Sequence, residues 1–133
     1  MTDVDRRTAA AQFAADWKGR GDEKQETQRF WIELLTKVFG IDGSTAISFE
    51  VPVKLDHTSF IDGYIESTRV LIEQKGREID LRKGYKQSDG SMLTPYQQAR
   101  RYAGYLPYNQ VPRWIIVCNF QEFQIHDMNR PND

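Results

Sequence analysis

"SFIDGYIESTRVLIEQKG", residues 59–76, holds two apolar-rich runs around a short polar break, Glu66-Ser67-Thr68. Runs of this kind, rich in Ile, Val, Tyr and Phe, predict a β-hairpin. Three residues do not suit a sheet core: Asp62, Glu73 and Lys75. A charged group buried without a partner or a metal costs several kcal/mol. Glu73 and Lys75 are two apart, so on a strand they share a face with Leu71. A short break that brings the two runs antiparallel sets Asp62 near Glu73 on the same side. Two carboxylates and a lysine then converge at one sheet edge.

That grouping suits a hard cation. Mg²⁺ takes oxygen ligands, commonly one or two protein carboxylates, with water and substrate phosphate completing an octahedron. The backbone carbonyl of Gln74, between Glu73 and Lys75, is a further candidate ligand. A metal held there polarises a phosphate and acidifies a bound water, and Lys75 would orient that water or stabilise charge building on the phosphate. A lysine close to a metal has reason to titrate below its ordinary value. Taken alone, a Glu-x-Lys pair on a strand is more often a solvated face or a cross-strand ion pair.

Outward from the hairpin, Ala10, Phe13, Ala14 and Trp17 fall at helical spacing and predict a helix over about 4–18. A second helix starts at Asp22, with Gln25 as its capping-box partner, and carries Phe30, Trp31, Leu34, Leu35, Val38 and Phe39 to a stop at Gly40. "ISFEVPVK" alternates as a strand, and its Pro52 implies an edge position or a strand end. Residues 76–93 are polar and Gly-containing and predict irregular structure. At "TPYQQARRYAGYLP" a helix begins with Thr94 as N-cap, Pro95 in the first turn and Gln97 closing a capping box, and Tyr96, Ala99, Ala103 and Leu106 form its core face. "RWIIVCNF" and "EFQIHDM" are the last two strands, joined by a tight turn around Asn119 to Gln121. The order helix, helix, three strands, helix, two strands predicts an α/β or α+β domain with one mixed sheet and helices packed on it.

The chain has 133 residues, 39% hydrophobic and 28% charged, which predicts a single domain over 1–133 with one modest core. No apolar run approaches the roughly 20 residues of a membrane span. The N-terminus has no apolar signal core, so a cytoplasmic location is the default expectation. The single Cys118 lies in the apolar run "WIIVCNF" and reads as a buried strand residue. A net charge of −1 argues against strong independent binding of nucleic acid, although not against a catalytic module whose affinity comes from other domains.

Asp62 followed by Glu73-Gln74-Lys75, on a hairpin between helices, resembles the PD-(D/E)XK nuclease superfamily, with Ile61 standing where many members have a proline. The resemblance implies a restriction-endonuclease-like α/β fold, a mixed central sheet flanked by helices, around a Mg²⁺ site that Mn²⁺ would also serve. Gln98 and Tyr102 form Q-x-x-x-Y on the third helix, similar to the motif of the RecB-like branch, where both groups line the active site. Glu26 reads either as a first-turn glutamate favoured by the helix dipole or as the additional metal or water contact that the superfamily often draws from its first core helix. "WKGRGDEKQETQRFWIELL", "VPVKLDHTSFIDGYIESTRVLIEQKG", "YKQSDGSMLTPYQQARRYAGYLP" and "RWIIVCNFQEFQIHDM" resemble the N-terminal nuclease domain of MmeI-like (type IIL) restriction–modification enzymes, over about 15–128. In that family the nuclease domain is fused to a helical spacer, an S-adenosylmethionine-dependent DNA adenine methyltransferase and a target-recognition domain. Neither N-P-P-Y/F nor F-x-G-x-G occurs in these residues, so the chain reads as the N-terminal piece of a larger protein, with the polar end "NRPND" at a domain boundary.

Two functions follow from the resemblance. One is a Mg²⁺-dependent endodeoxyribonuclease domain acting on double-stranded DNA, with Asp62 and Glu73 on the metal, Lys75 assisting water, and Gln98, Tyr102 and Glu26 in support. The other is a silent nuclease fold that docks partner domains or holds DNA. Lys75, Arg77, Arg82, Lys83, Lys86, Arg100 and Arg101 read either as contacts to DNA phosphates or as a solvated surface diluted by Glu78 and Asp80. "SDGS", residues 88–91, reads as a turn, with or without DNA beneath it. His57 and His126 have no metal-ligand partner at useful spacing and read as structural or exposed.

Overall fold

The computed structural model describes residues 2–55 and 58–130; His57 lies outside them. Helix α1 spans Asp3–Trp17 and α2 spans Glu23–Glu33, the latter running on into a π-helical turn over Leu34–Val38. Asp22 caps α2 as expected, its Oδ1 accepting from the N–H groups of Lys24 and Gln25. The reciprocal partner is not Gln25 but Glu26, whose Oε1 accepts from the Asp22 N–H at 3.2 Å. After the short helix α3 (Gly43–Ala46) come strands β1 (Ser48–Lys54), β2 (Thr58–Ile65) and β3 (Val70–Gln74). A small hairpin, β4 (Tyr85–Lys86) and β5 (Met92–Leu93), lies inside the segment that the sequence marks as irregular. Helix α4 (Pro95–Ala103) has the expected capping box between Thr94 and Gln97. Strands β6 (Trp114–Cys118) and β7 (Phe123–Asp127) close the fold.

The main sheet has the order β1-β2-β3-β6-β7. The β3–β6 pair is parallel and the other pairs are antiparallel. This is the mixed α/β sheet of a restriction-endonuclease-like core. Pro52 sits on the edge strand β1, the kind of position in a sheet where proline is tolerated. Strand β3, in the centre, is buried along its whole length, as a parallel strand covered on both faces must be.

Helices pack on both faces. On one, Phe13 and Trp17 of α1 and Phe30 and Trp31 of α2 meet Val70, Ile72, Cys118 and Phe120. Phe30 stands at the centre of that layer, edge-on to Trp17 at 5.2 Å and to Phe120 at 5.0 Å between ring centres. On the other face Ala99 of α4 packs with Leu71, Ile115, Val117 and Leu81. Among the described residues no helix is long and apolar enough to cross a membrane.

One irregularity prepares the site. Phe49 and its register partner Gly63 belong to the α1–α2 side, whereas Val51 and its partner Ile61 belong to the α4 side. Strict alternation would leave both pairs on one face. The switch falls between them, at Glu50 and Asp62, and Glu50 has φ +52, a left-handed conformation rare for a residue with a Cβ. The β2–β3 ladder also ends there, its last pair toward the site being Gly63 with Ile72.

Candidate active site

Where the β2–β3 ladder stops, the next backbone donor on β3 needs an acceptor. Asp62 supplies it from its side chain: Oδ2 accepts from the Gln74 N–H at 2.7 Å. This bond fixes the Asp62 carboxylate beside Glu73. Lys75 reaches back along the same strand face, its Nζ 3.2 Å from Glu73 Oε1. The Lys75 ammonium also donates to Gln98 Oε1 at 2.9 Å, and Gln98 Nε2 donates to the Tyr102 hydroxyl at 2.9 Å. Gln98 and Tyr102 are one helical turn apart on α4 and so share a face. The structure therefore brings together Asp62, Glu73, Gln74, Lys75, Gln98 and Tyr102 at the C-terminal end of β3.

Glu26 is not part of this group. Its Oε2 is held by Arg20, through Nε at 3.0 Å and Nη2 at 2.9 Å, and its Oε1 caps the backbone of Asp22. The acid that α2 presents instead is Glu23, its first residue, which the sequence reading did not single out. Glu23 lines two adjacent openings. One, of about 290 Å³, has Lys75 and Gln98 at its base and Tyr85, Lys86, Gln87 and Leu93 of the β4–β5 hairpin as a wall. The other, of about 300 Å³, is lined by Lys24, Thr27, Gln28, Glu50 and Asp62. The Glu73–Lys75 contact thus leaves the Lys75 side of the site open.

The electrostatics are those of crowded acids. Burial, and then the charge of Asp62, pushes the Glu73 carboxyl up to about 8, against the pull of Lys75. Asp62 is pushed up to about 6, chiefly by burial, with Glu23 and Glu50 adding to it and the Gln74 N–H and Lys75 opposing it. Burial raises Glu23 as well. For Lys75, burial favours the neutral amine, but the Glu73 charge and hydrogen bond, with Glu23 and Asp62, outweigh it and the net shift is upward. Among these groups alone the carboxylate neighbours of Lys75 therefore dominate; the downward shift expected of a lysine beside a bound metal belongs to a different charge balance.

Glu73 Oε2 is the one buried side-chain oxygen or nitrogen among the described residues with no hydrogen-bond partner. A buried, unsatisfied carboxylate oxygen costs several kcal/mol, and a cation is what would satisfy it. Among the described residues no three His, Cys, Asp or Glu side chains gather closely enough to form a metal cage. Mg²⁺ does not require one, since it is ordinarily held through one or two carboxylates with water and substrate phosphate. Asp62 and Glu73 fit that demand.

The remaining candidates fall elsewhere. Arg82 is paired with Glu122 and Asp80, and Arg101 with Asp89, so these cations are partly committed within the protein. The turn at residues 88–91 is closed by Asp89, which accepts from the Ser91 N–H and hydroxyl. His126 stacks on Tyr96 with ring centres 3.7 Å apart, a structural position. Gly21 packs so closely on Arg77 and Phe120 that a Cβ there would lie 2.8 Å from Arg77 Cβ, a packing reason for glycine at this position.

The curated proteins and the solved structures contain no match to this chain. The family described as "MmeI, N-terminal domain" matches it from residue 8 to residue 133. With the match covering nearly its whole length, the chain belongs to the MmeI N-terminal domain family, the nuclease domain of MmeI-type IIL restriction–modification enzymes.

Proposed function

We propose that the chain is a Mg²⁺-dependent endodeoxyribonuclease domain that hydrolyses phosphodiester bonds of double-stranded DNA. It would do so as part of a larger chain whose methyltransferase and target-recognition domains supply most of the affinity. The observation that carries this reading is the unpartnered Oε2 of Glu73, buried beside Asp62 and next to a lysine held by Gln98.

Asp62 and Glu73, with the Gln74 carbonyl, would hold Mg²⁺, and Mn²⁺ would substitute. The bound ion supplies Lewis-acid polarisation of the phosphate. Lys75 stays protonated and presents its ammonium to the opening over Gln98, where it hydrogen-bonds the attacking water or the phosphate oxygens. Gln98 orients that ammonium, and Tyr102 fixes the Gln98 amide by accepting from it. Glu23, between the two openings, takes the part of the helix-borne acid that the sequence reading gave to Glu26.

Calorimetry of this chain with Mn²⁺ tests the metal site: a saturable heat in the parent, absent in Glu73→Ala, is expected. In a chain that includes the recognition domains, Asp62→Ala and Lys75→Ala are each expected to abolish cleavage while leaving the fold intact. A variant that cuts as fast as the parent removes that residue from the reaction. No heat in the parent, with or without DNA, would favour a nuclease fold kept for docking.

A further inference from the structure

Strand β3 carries a fully buried glutamine in the middle of its Glu-x-Lys run. Gln74 is 0% exposed and points away from the Glu73–Lys75 face, toward α2. On that same face β3 otherwise uses Val70 and Ile72, the residues expected of a strand covered on both sides. A buried amide is tolerated when its hydrogen bonds are made. Here Oε1 accepts from the Trp31 indole N–H at 2.8 Å, and Nε2 donates to the Lys75 carbonyl at 3.0 Å.

The second bond answers a break in the sheet. β3 and β6 run parallel, and the Lys75 N–H still donates to the Cys118 carbonyl at 2.7 Å. Continued pairing would bring the Phe120 N–H to the Lys75 carbonyl. Phe120 instead has φ +71, and its N–H is directed to Cys118 Sγ at 3.3 Å. The Gln74 side chain fills the place of the missing donor, and Trp31 prevents its amide from rotating.

We propose that Gln74, anchored by Trp31, is a positioning residue: it fixes the Lys75–Gly76 peptide and so aims the Lys75 ammonium at Glu73 and Gln98. The catalytic meaning of this rests on the nuclease reading; the positioning does not. One residue thus serves both faces of the strand, its N–H holding Asp62 and its side chain holding the backbone of Lys75.

The test follows the Lys75 ammonium of this chain in ¹⁵N–¹H correlation spectra at low temperature, its signal assigned by its loss in Lys75→Met. Gln74→Met keeps the side-chain volume and removes both hydrogen bonds. Trp31→Phe removes only the indole donor and serves if the first variant does not fold. In either variant the Lys75 signal is expected to shift and its proton exchange to quicken about tenfold, the factor carried by one lost hydrogen bond of ordinary net strength. The other ammonium signals and the amide dispersion stay as in the parent, which a general loosening of the fold would not allow. An unmoved Lys75 signal in a folded variant overturns the proposal. Mn²⁺ titration of the parent separates the two questions: no binding there sinks the nuclease reading and leaves the lysine result standing.

Discussion

The two oxygens of the Glu73 carboxylate have different fates: Oε1 meets Lys75, while Oε2 is buried with no partner. This has a consequence for stability when divalent metal is chelated. Glu73 titrates near 8 in the fold against an ordinary 4.5, and Asp62 near 6 against 3.8. Between those limits the folded chain binds more protons than the unfolded chain, so stability falls as pH rises. The contribution is fully present below the unfolded values and lost as pH passes through the folded ones. In urea unfolding with EDTA at about pH 5 and about pH 8, the midpoint is expected to drop at the higher pH, and Glu73→Gln to shrink that drop. Saturating Mg²⁺ at the higher pH should restore the parent midpoint. A parent whose chelated stability rises from the lower pH to the higher contradicts the crowding of these acids. Asp62, Glu73 and Lys75 were legible in the sequence because period-two spacing puts Glu73 and Lys75 on one strand face, a short break brings Asp62 toward them, and the resulting pattern resembles a nuclease motif. Glu23 was not legible. The choice between Glu23 and Glu26 depends on how α2 enters the fold, and that is set by Arg20, which lies over the Trp17 ring at 3.8 Å and takes the Glu26 carboxylate.

At the scale of elements, the segment 76–93 shows what composition conceals. Its polar residues predict irregular structure, yet Leu81 within it is 1% exposed and packs with Leu71, Ile115, Val117 and Ala99. The few apolar residues of this stretch, Ile79, Leu81, Tyr85, Met92 and Leu93, make no sustained helical or strand period, so only the tertiary fold reveals Leu81 as an anchor. Leu81→Ala is expected to cost about 2–5 kcal/mol in urea unfolding, the range for a large buried aliphatic truncated in a packed core. A cost under about 1 kcal/mol would mean the segment is not pinned there. The β4–β5 hairpin that follows is held to α4 by Asp89 and Arg101, 3.0 Å apart and solvent-exposed. An exposed pair contributes little to global stability, so Asp89→Ala should leave the unfolding midpoint nearly unchanged. Local opening is different, because the hairpin is a wall of the cleft over Lys75. Amide exchange at residues 85–93 is expected to quicken in Asp89→Ala while exchange in β3 and β6 does not. Equal protection of the hairpin in both proteins would show that Tyr85, whose hydroxyl accepts from the Asp80 N–H at 3.0 Å, holds it without the ion pair.

At the scale of the whole molecule, charge decides how the chain meets a phosphate backbone. It has 18 Lys and Arg against 19 Asp and Glu, and part of the positive set is consumed internally, Arg82 by Glu122 and Arg101 by Asp89. Glu23, Glu50 and Asp62 meanwhile line one opening of the site, with Glu73 buried behind them. Without metal this cluster repels phosphate; a bound divalent cation would invert the local field. The chain alone is therefore expected to bind a short duplex weakly in EDTA, in the range of non-specific contacts, roughly 10⁻⁴ M or weaker at physiological salt. Ca²⁺, which binds carboxylates without the tight octahedral demand of Mg²⁺, should raise that affinity about tenfold, since relieving even one close like-charge contact near the surface is worth on the order of 1 kcal/mol or more. At about pH 9, where Asp62 and Glu73 are both ionised without metal, the double variant Asp62→Asn, Glu73→Gln should show the raised affinity in EDTA and no further gain from Ca²⁺, because much of the repulsion and the metal ligands are removed together. Fluorescence anisotropy of a labelled duplex across a salt series reads both effects. If the double variant and the parent bind equally in EDTA, the acids do not face the DNA, and the strand would have to run along the cleft wall at Lys86 and Gln87 instead.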